Sequence, residues 1–155
     1  MNKQLEKFIQ LKFEKNASAL DLGAGDFEDV NFLNRAGWKC EGVDLKTGVN
    51  LEKPYFSKSA PFDLVFSNYT LHKISNKEVF IKTAYNNLKK NGWLFIHTFD
   101  KSDENSNSDL DEKRVSALLV SRFKNIKVVI IDIFDEEEGH KHWHKVLEVT
   151  AQKND

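Results

Sequence analysis

The segment Leu20–Phe27, "LDLGAGDF", decides how the rest of this chain is read. An apolar run enters two glycines, Gly23 and Gly25, and the chain continues as "EDVNFLNRAGW" with apolar residues at helical spacing. A buried strand that hands over to a helix through two glycines is a tight turn. Its backbone takes positive φ at little cost and can approach a ligand closely. The helix that follows presents unpaired N–H groups at its start.

Reading outward, "SALDL" is a first strand and Phe27, Val30, Phe32 and Leu33 form the apolar face of a helix that Gly37 ends. "WKCEGVDL" is a second strand closing on Asp44, and "PFDLVFSN" is a third buried run. "SNKEVFIKTAYNNLKKNG" reads as a helix opened by a Ser75/Glu78 capping box and closed at Lys89, Lys90 and Gly92. "WLFIHTF" is a fourth strand and "KSDENSNSD" a polar loop. "DLDEKRVSALLVSRF" is a helix with Asp109 and Glu112 as a second capping box. "IKVVIIDIF" and "WHKVLEVTAQK" finish the chain as strands. Ahead of everything, Leu5, Phe8, Ile9 and Leu11 to Phe13 mark an amphipathic N-terminal helix.

Strands alternating with helices predict an α/β fold, a three-layer Rossmann-like, mostly parallel sheet covered on both faces. The last two strands have no helix between them and pair as an antiparallel C-terminal hairpin. From Asp44 to Phe62 is only 18 residues, too few for a full crossover helix and strand, so the crossover after the second strand is shortened. One domain spans 1–155, with an N-terminal helix over 1–16, a ligand-binding core over 17–100, and a C-terminal helix and hairpin over 101–155. Ligands bind such sheets beyond the strand C-termini. That gathers Gly23 to Asp26, Asp44, Ser67 to Tyr69 and Thr98 to Asp100 around one cleft.

Composition narrows the partners. A net charge of -1 removes the electrostatic reason to expect nucleic acid or an anionic membrane. No apolar run approaches the roughly 20 residues of a spanning helix, and the charged N-terminus lacks a secretory signal's apolar stretch. The single cysteine, Cys40, fits a reducing compartment, so the expectation is a cytoplasmic protein. Asp44 stands 19 residues beyond Gly25, close to the interval at which an acid reaches a ribose diol in dinucleotide folds. Those folds need a third glycine where this chain has Glu28, and Asp26 and Glu28 would repel a pyrophosphate. A nucleoside ligand that carries positive charge fits better.

The ordered set "LDLGAGDF … GVDL … FDLVFSNYTLHKI … NNLKKNGWLFIHTFD", with the closing hairpin, resembles the class I S-adenosylmethionine-dependent methyltransferases. The ending "HKHWHKVLEV" and compact size most resemble small-molecule enzymes of the tellurite-resistance type. The resemblance implies S-adenosylmethionine as cofactor and S-adenosylhomocysteine as product. Asp21 and the backbone of Gly23, Ala24 and Gly25 would meet the methionine end. Asp44 would take both ribose hydroxyls, Leu45 would pack on the adenine, and Asn50 would contact its amino group. Ser67 and Asn68 would close the site near the sulfonium and the substrate. Tyr69 and His72 stand where the methyl acceptor binds, His72 as general base or substrate contact. His97, inside a strand, reads as a buried hydrogen-bonded residue. Phe27 replaces the small residue usual in the family and is read as packing between helix and sheet. "SNYT" lacks the "N-P-P-Y" of nucleic-acid and protein-amide N-methyltransferases, which favours a small-molecule acceptor. Loops or a partner subunit would then build its site, in a monomer or homodimer.

Two further readings stand beside this one. A shortened crossover and Phe27 also suit a domain that binds cofactor without catalysis and regulates or scaffolds a partner. His140, His142 and His144 alternate near Glu136 to Glu138, a pattern that suits a metal. The resemblance places them on the terminal hairpin away from the cofactor, so they are read as a solvated turn and no metal is assigned.

Overall fold

The computed structural model describes residues 1–136, 139 and 141–154. Helix α1 (Lys3–Lys12) precedes β1 (Ser18–Leu22), α2 (Glu28–Arg35), β2 (Lys39–Val43) and β3 (Phe62–Asn68). Then come α3 (Lys77–Asn87), β4 (Leu88–Phe99), α4 (Glu112–Leu119), β5 (Phe123–Asp135) and β6 (His142–Lys153). The six strands form one sheet in the order β2-β1-β3-β4-β6-β5. β2, β1, β3 and β4 run parallel, and β6 inserts antiparallel between β4 and β5. This is the expected mostly parallel sheet with an antiparallel C-terminal hairpin.

Each face carries its own core. Phe62, Val65, Leu94 and Ile96 pack under Phe80, Ile81 and Ala84 of α3 and Val115 and Leu119 of α4. Leu64, Phe66 and Phe95 pack under Leu5, Phe8 and Ile9 of α1 and Val30 and Leu33 of α2. Neighbouring residues of β3 and β4 therefore serve opposite layers, as two-residue strand periodicity requires.

The crossover after β2 is indeed missing. A single 3₁₀ turn, Leu45–Thr47, follows β2, and no strand forms between Val43 and Phe62. A strap replaces it, sewn to α3 by the fully buried Asn87, whose amide accepts from Ser57 N (2.9 Å) and donates to Tyr55 O (3.0 Å). The strap's Ser57 hydroxyl donates to Glu41 of β2, and the Glu52 carboxylate accepts from the backbone N–H groups of Ser75 and Asn76.

Several local expectations change. The α3 cap is Asn76, whose side chain accepts from Val79 N, not a Ser75/Glu78 box, and the helix stops at Asn87 because β4 already begins at Leu88. The α4 cap is Asp111, accepting from Arg114 N, while Asp109 pairs instead with the Arg114 and Lys77 side chains. Leu11 is exposed rather than on the buried face of α1.

Candidate active site

Gly23 (φ +87°) and Gly25 (φ +56°) both lie in the left-handed region, which explains why glycine holds each position. A Cβ at Gly23 would fall 2.1 Å from Thr70 Oγ1, whereas one at Gly25 would meet nothing within 4 Å. Gly23 is thus bare to admit the loop after β3, and Gly25 faces open space. Both line a cavity of about 490 Å³ with Asp44, Leu45, Lys46, Val49, Asn50, Leu51, Glu52, Thr70, Lys73 and Ile74.

Asp44 is held rigidly at the rim. Its Oδ2 accepts from Gly25 N (2.9 Å), its Oδ1 from Lys46 N (3.1 Å), and Thr47 completes a capping box with it. An ionised carboxylate has about four acceptor sites, so this carboxylate keeps capacity for a ligand diol after both bonds. Leu45 and Asn50 are exposed on the same cavity, with Asn50 Oδ1 accepting from Glu52 N. Val49, Leu51 and Ile74 supply an apolar wall. Lys46 crosses the mouth to Asp26 (2.8 Å), both side chains being exposed.

Asp21, at the end of β1, is buried, and its Oδ1 has no hydrogen-bond partner. Burial first, then the neighbouring charges of Asp29 and Asp44, push its carboxyl well above the usual carboxylate range. A cation brought beside these three acids relieves that repulsion. A nucleoside with a positively charged tail therefore fits the donor set: a diol acceptor, an apolar wall, bare glycine backbone and an underused buried acid.

Asp21 lies behind this cavity rather than on its lining, and the other predicted residues also lie apart from it. Ser67 is buried and its hydroxyl donates to Leu22 O (2.7 Å), which fixes the end of β1 rather than facing the cavity. Asn68 joins a closed network: Asn2 Nδ2 donates to Asn68 Oδ1 (2.8 Å), Asn68 Nδ2 donates to Asp29 Oδ2 (2.9 Å), and Asp29 Oδ1 accepts from Asn2 N. Asn68 and Tyr69 line a second cavity, of about 600 Å³, with Met1, Asn2, Glu28, Asp29, Ile133 and Phe134 among its walls. Ala24 packs beside Phe27 rather than lining either cavity.

Tyr69 follows β3 with φ +60°, its N–H donating to His97 O (2.7 Å) and its ring on Phe99 at 5.0 Å. Burial, then Asp135, pushes its hydroxyl up to about 12. His72 lies edge-on to Phe99 (4.9 Å) with Nδ1 at 3.2 Å from Thr98 Oγ1. Burial, with Lys73 and Lys77 adding repulsion, lowers its pKa to about 4. His97 is fully buried between Asn2 Nδ2 (3.1 Å) and Glu148 Oε2 (2.9 Å). A carboxylate only accepts, so Nε2 carries the proton and Nδ1 accepts from Asn2. Phe27 caps α2 with φ +62° and turns its ring against Gly42 of β2, in the helix–sheet layer and not in the cavity.

Sequence reading missed Thr70, whose hydroxyl sits over Gly23, and the tie of Asn2 to the ends of β3 and β4. Neither leaves a local signal, because both pair residues far apart in the chain. The hairpin also lies closer to the site than expected: His144 stacks on Phe99 at 4.7 Å, the same ring that meets Tyr69 and His72. His140, Glu137 and Glu138 lie outside the described residues.

A glycine turn followed by an acid at the carboxyl edge of this sheet is the nucleoside-binding arrangement of Rossmann-like α/β folds. Residues 1–146 match the family model described as a methyltransferase domain, and the chain belongs to that family. No curated protein matches it significantly. Among solved structures it resembles a SAM-dependent methyltransferase from Methanosarcina mazei, with 16% identity, TM-score 0.77, and coverage of 95% of this chain and 97% of that one. A second is Burkholderia thailandensis 1,6-didemethyltoxoflavin-N1-methyltransferase, solved with 1,6-didemethyltoxoflavin and S-adenosylhomocysteine. That likeness has 17% identity and TM-score 0.73, over 99% of this chain and 78% of that one. TehB from Haemophilus influenzae is similar at 13% identity and TM-score 0.71, over 99% and 63% of the two chains.

Proposed function

We propose that this protein transfers the methyl group of S-adenosylmethionine to a small-molecule acceptor by in-line displacement. The observation that carries the reading is Asp44, locked by Gly25 N–H at the rim of a cavity whose floor is two positive-φ glycines. Asp44 would accept from both ribose hydroxyls, Leu45 would cover the adenine, and Asn50 would meet its amino group. Asp21 and the Gly23–Gly25 backbone would receive the charged methionine end. When bound, the cofactor supplies an electrophilic methyl on a sulfonium. The protein's share is to hold both partners at attacking distance and exclude water.

The second cavity, lined by Asn68 and Tyr69 next to Thr70 of the first, is the natural seat of the acceptor. Ser67 acts behind the site by fixing the end of β1. His72, with a pKa near 4, is unprotonated at neutral pH but a weak base, since catalytic bases work best near the operating pH. That favours an acceptor needing little proton removal, such as a sulfur or metalloid nucleophile, with Tyr69 as a contact; His72 lines neither cavity and packs behind on Phe99. A one-domain chain with no strong positive field suits a small acceptor rather than nucleic acid.

Calorimetric titration with S-adenosylhomocysteine tests the cofactor site. The expected outcome is micromolar binding that Asp44→Ala weakens about 30-fold, the ~2 kcal/mol of charged hydrogen bonds to the diol. Binding that survives Asp44→Ala unchanged would overturn the assignment. Absence of any binding to the intact protein would favour a domain that no longer uses cofactor.

A further inference from the structure

We propose a divalent transition-metal site at the turn end of the C-terminal hairpin, formed by Asp135 of β5 and His142 and His144 of β6. Asp135 and His142 are cross-strand partners, and His144 stands two residues further on β6, so all three project from one face. Their ligand atoms lie within 4.8 Å of one another. His142 Nε2 and His144 Nε2 are 2.9 Å apart, and His144 Nε2 is 3.7 Å from Asp135 Oδ2. With metal–ligand bonds of about 2.0–2.1 Å, those separations subtend about 90° and about 125° at a shared ion. The two angles lie on either side of the tetrahedral value, and the third separation, His142 to Asp135, is within 4.8 Å and closes toward about 3.3 Å when all three meet one ion.

A fourth residue makes this more than a chance meeting of side chains. His144 Nδ1 is 3.0 Å from Oδ2 of Asp103, a carboxylate that is 4% exposed and whose Oδ1 accepts from Lys145 N. Because Asp103 accepts, it places the His144 proton on Nδ1 and leaves the Nε2 lone pair directed at His142 and Asp135. A carboxylate behind an imidazole fixes tautomer and ring angle in many metal centres. The loop "KSDENSNSD" thus supplies an orienting acid to the hairpin across 41 residues of sequence.

Two imidazoles and one carboxylate suit zinc, iron, nickel or copper and not magnesium or calcium, which prefer all-oxygen sites. Three protein ligands leave a coordination position open for a small molecule. That position sits near the proposed acceptor space. Ile133, the cross-strand partner of His144, lines the second cavity, and the His144 ring contacts Phe99 beneath Tyr69. The metal site itself stands without the methyl-transfer reading, because none of its residues contacts the glycine-turn cavity.

The test is calorimetric titration of untagged, chelator-treated protein with Zn²⁺, with Co²⁺ absorption as an independent readout. One equivalent is expected to bind at micromolar affinity or tighter, and Co²⁺ to show d–d bands without thiolate charge transfer. His144→Ala should weaken Zn²⁺ at least tenfold. Asp103→Asn, which removes no ligand, should weaken it about 10- to 100-fold. The proposal fails if the parent protein takes up no Zn²⁺, if folded His144→Ala binds like the parent, or if the Co²⁺ spectrum shows Cys40 thiolate.

Discussion

Tertiary burial changes His72 more than its place in the sequence suggests. In "SNYTLHKI" it reads as a general base or substrate contact beside the acceptor, but its imidazole rests on Phe99 and Thr98, and burial brings its pKa to about 4. An unfolded histidine titrates near 6.5. Between about pH 6.5 and pH 4 the unfolded chain therefore binds a proton that the folded one does not, and stability falls as pH falls through that window. The contribution is fully present above pH 6.5. Comparing urea midpoints of the parent and His72→Phe across pH 4–7 should show a shallower acid-side slope in the variant. The parent His72 Cε1–H resonance should hold its neutral position down to about pH 5; a midpoint near 6.5 would refute the burial argument.

At the scale of elements, the strap over 48–61 does the work of a missing crossover, and Asn87 holds it. The Asn87 side chain satisfies Ser57 N, Tyr55 O and Thr83 O from a fully buried position at the end of α3. Asn87→Ala leaves the first two without a protein partner, and the expected loss of stability is about 2–3 kcal/mol by urea denaturation. Because the strap carries Val49, Asn50 and Leu51 on the cavity wall, the same variant should bind S-adenosylhomocysteine more weakly while Asp44 stays in place. This also marks where sequence reading ends. Strand β1 and the C-terminal hairpin were legible because apolar runs bounded by glycine, aspartate and turns are local signals. The shortened crossover was legible from the 18-residue spacing alone. The caps were not: Ser75 stands beside Asn76, and Asp109 beside Asp111, and which oxygen reaches the helix N–H groups depends on where Glu52 and Arg114 settle. In the site, Asp44 and the glycines could be read from spacing. The bonds of Ser67 to Leu22 and of Asn68, on the wall of the second cavity, to Asn2 and Asp29 could not, because those partners come from other elements.

Across the whole molecule, losing the crossover strand turns β2 into a sheet edge, which is normally a site of fraying or pairing with other chains. Here Asn34 of α2 takes the place of a neighbouring strand: its Nδ2 donates to Cys40 O (3.0 Å) and its Oδ1 accepts from Cys40 N (2.9 Å). The Cys40 side chain lies in the layer with Val30, Leu33 and Trp38, and burial, reinforced by Asp21, Asp29 and Glu41, raises its thiol to about 12. Only the thiolate reacts, so at pH 8 the native thiol is about 10⁻⁴ ionised and its modification waits on opening. If Asn34 closes the edge, opening is global. The labelling rate of Cys40 by a disulfide reagent should then rise with urea along the slope of overall unfolding. Asn34→Ala should uncouple the two, speeding labelling in the absence of urea by more than its loss of stability accounts for, because β2 can then detach alone. Labelling of the parent protein that is fast and indifferent to low urea would show instead that the edge frays despite Asn34.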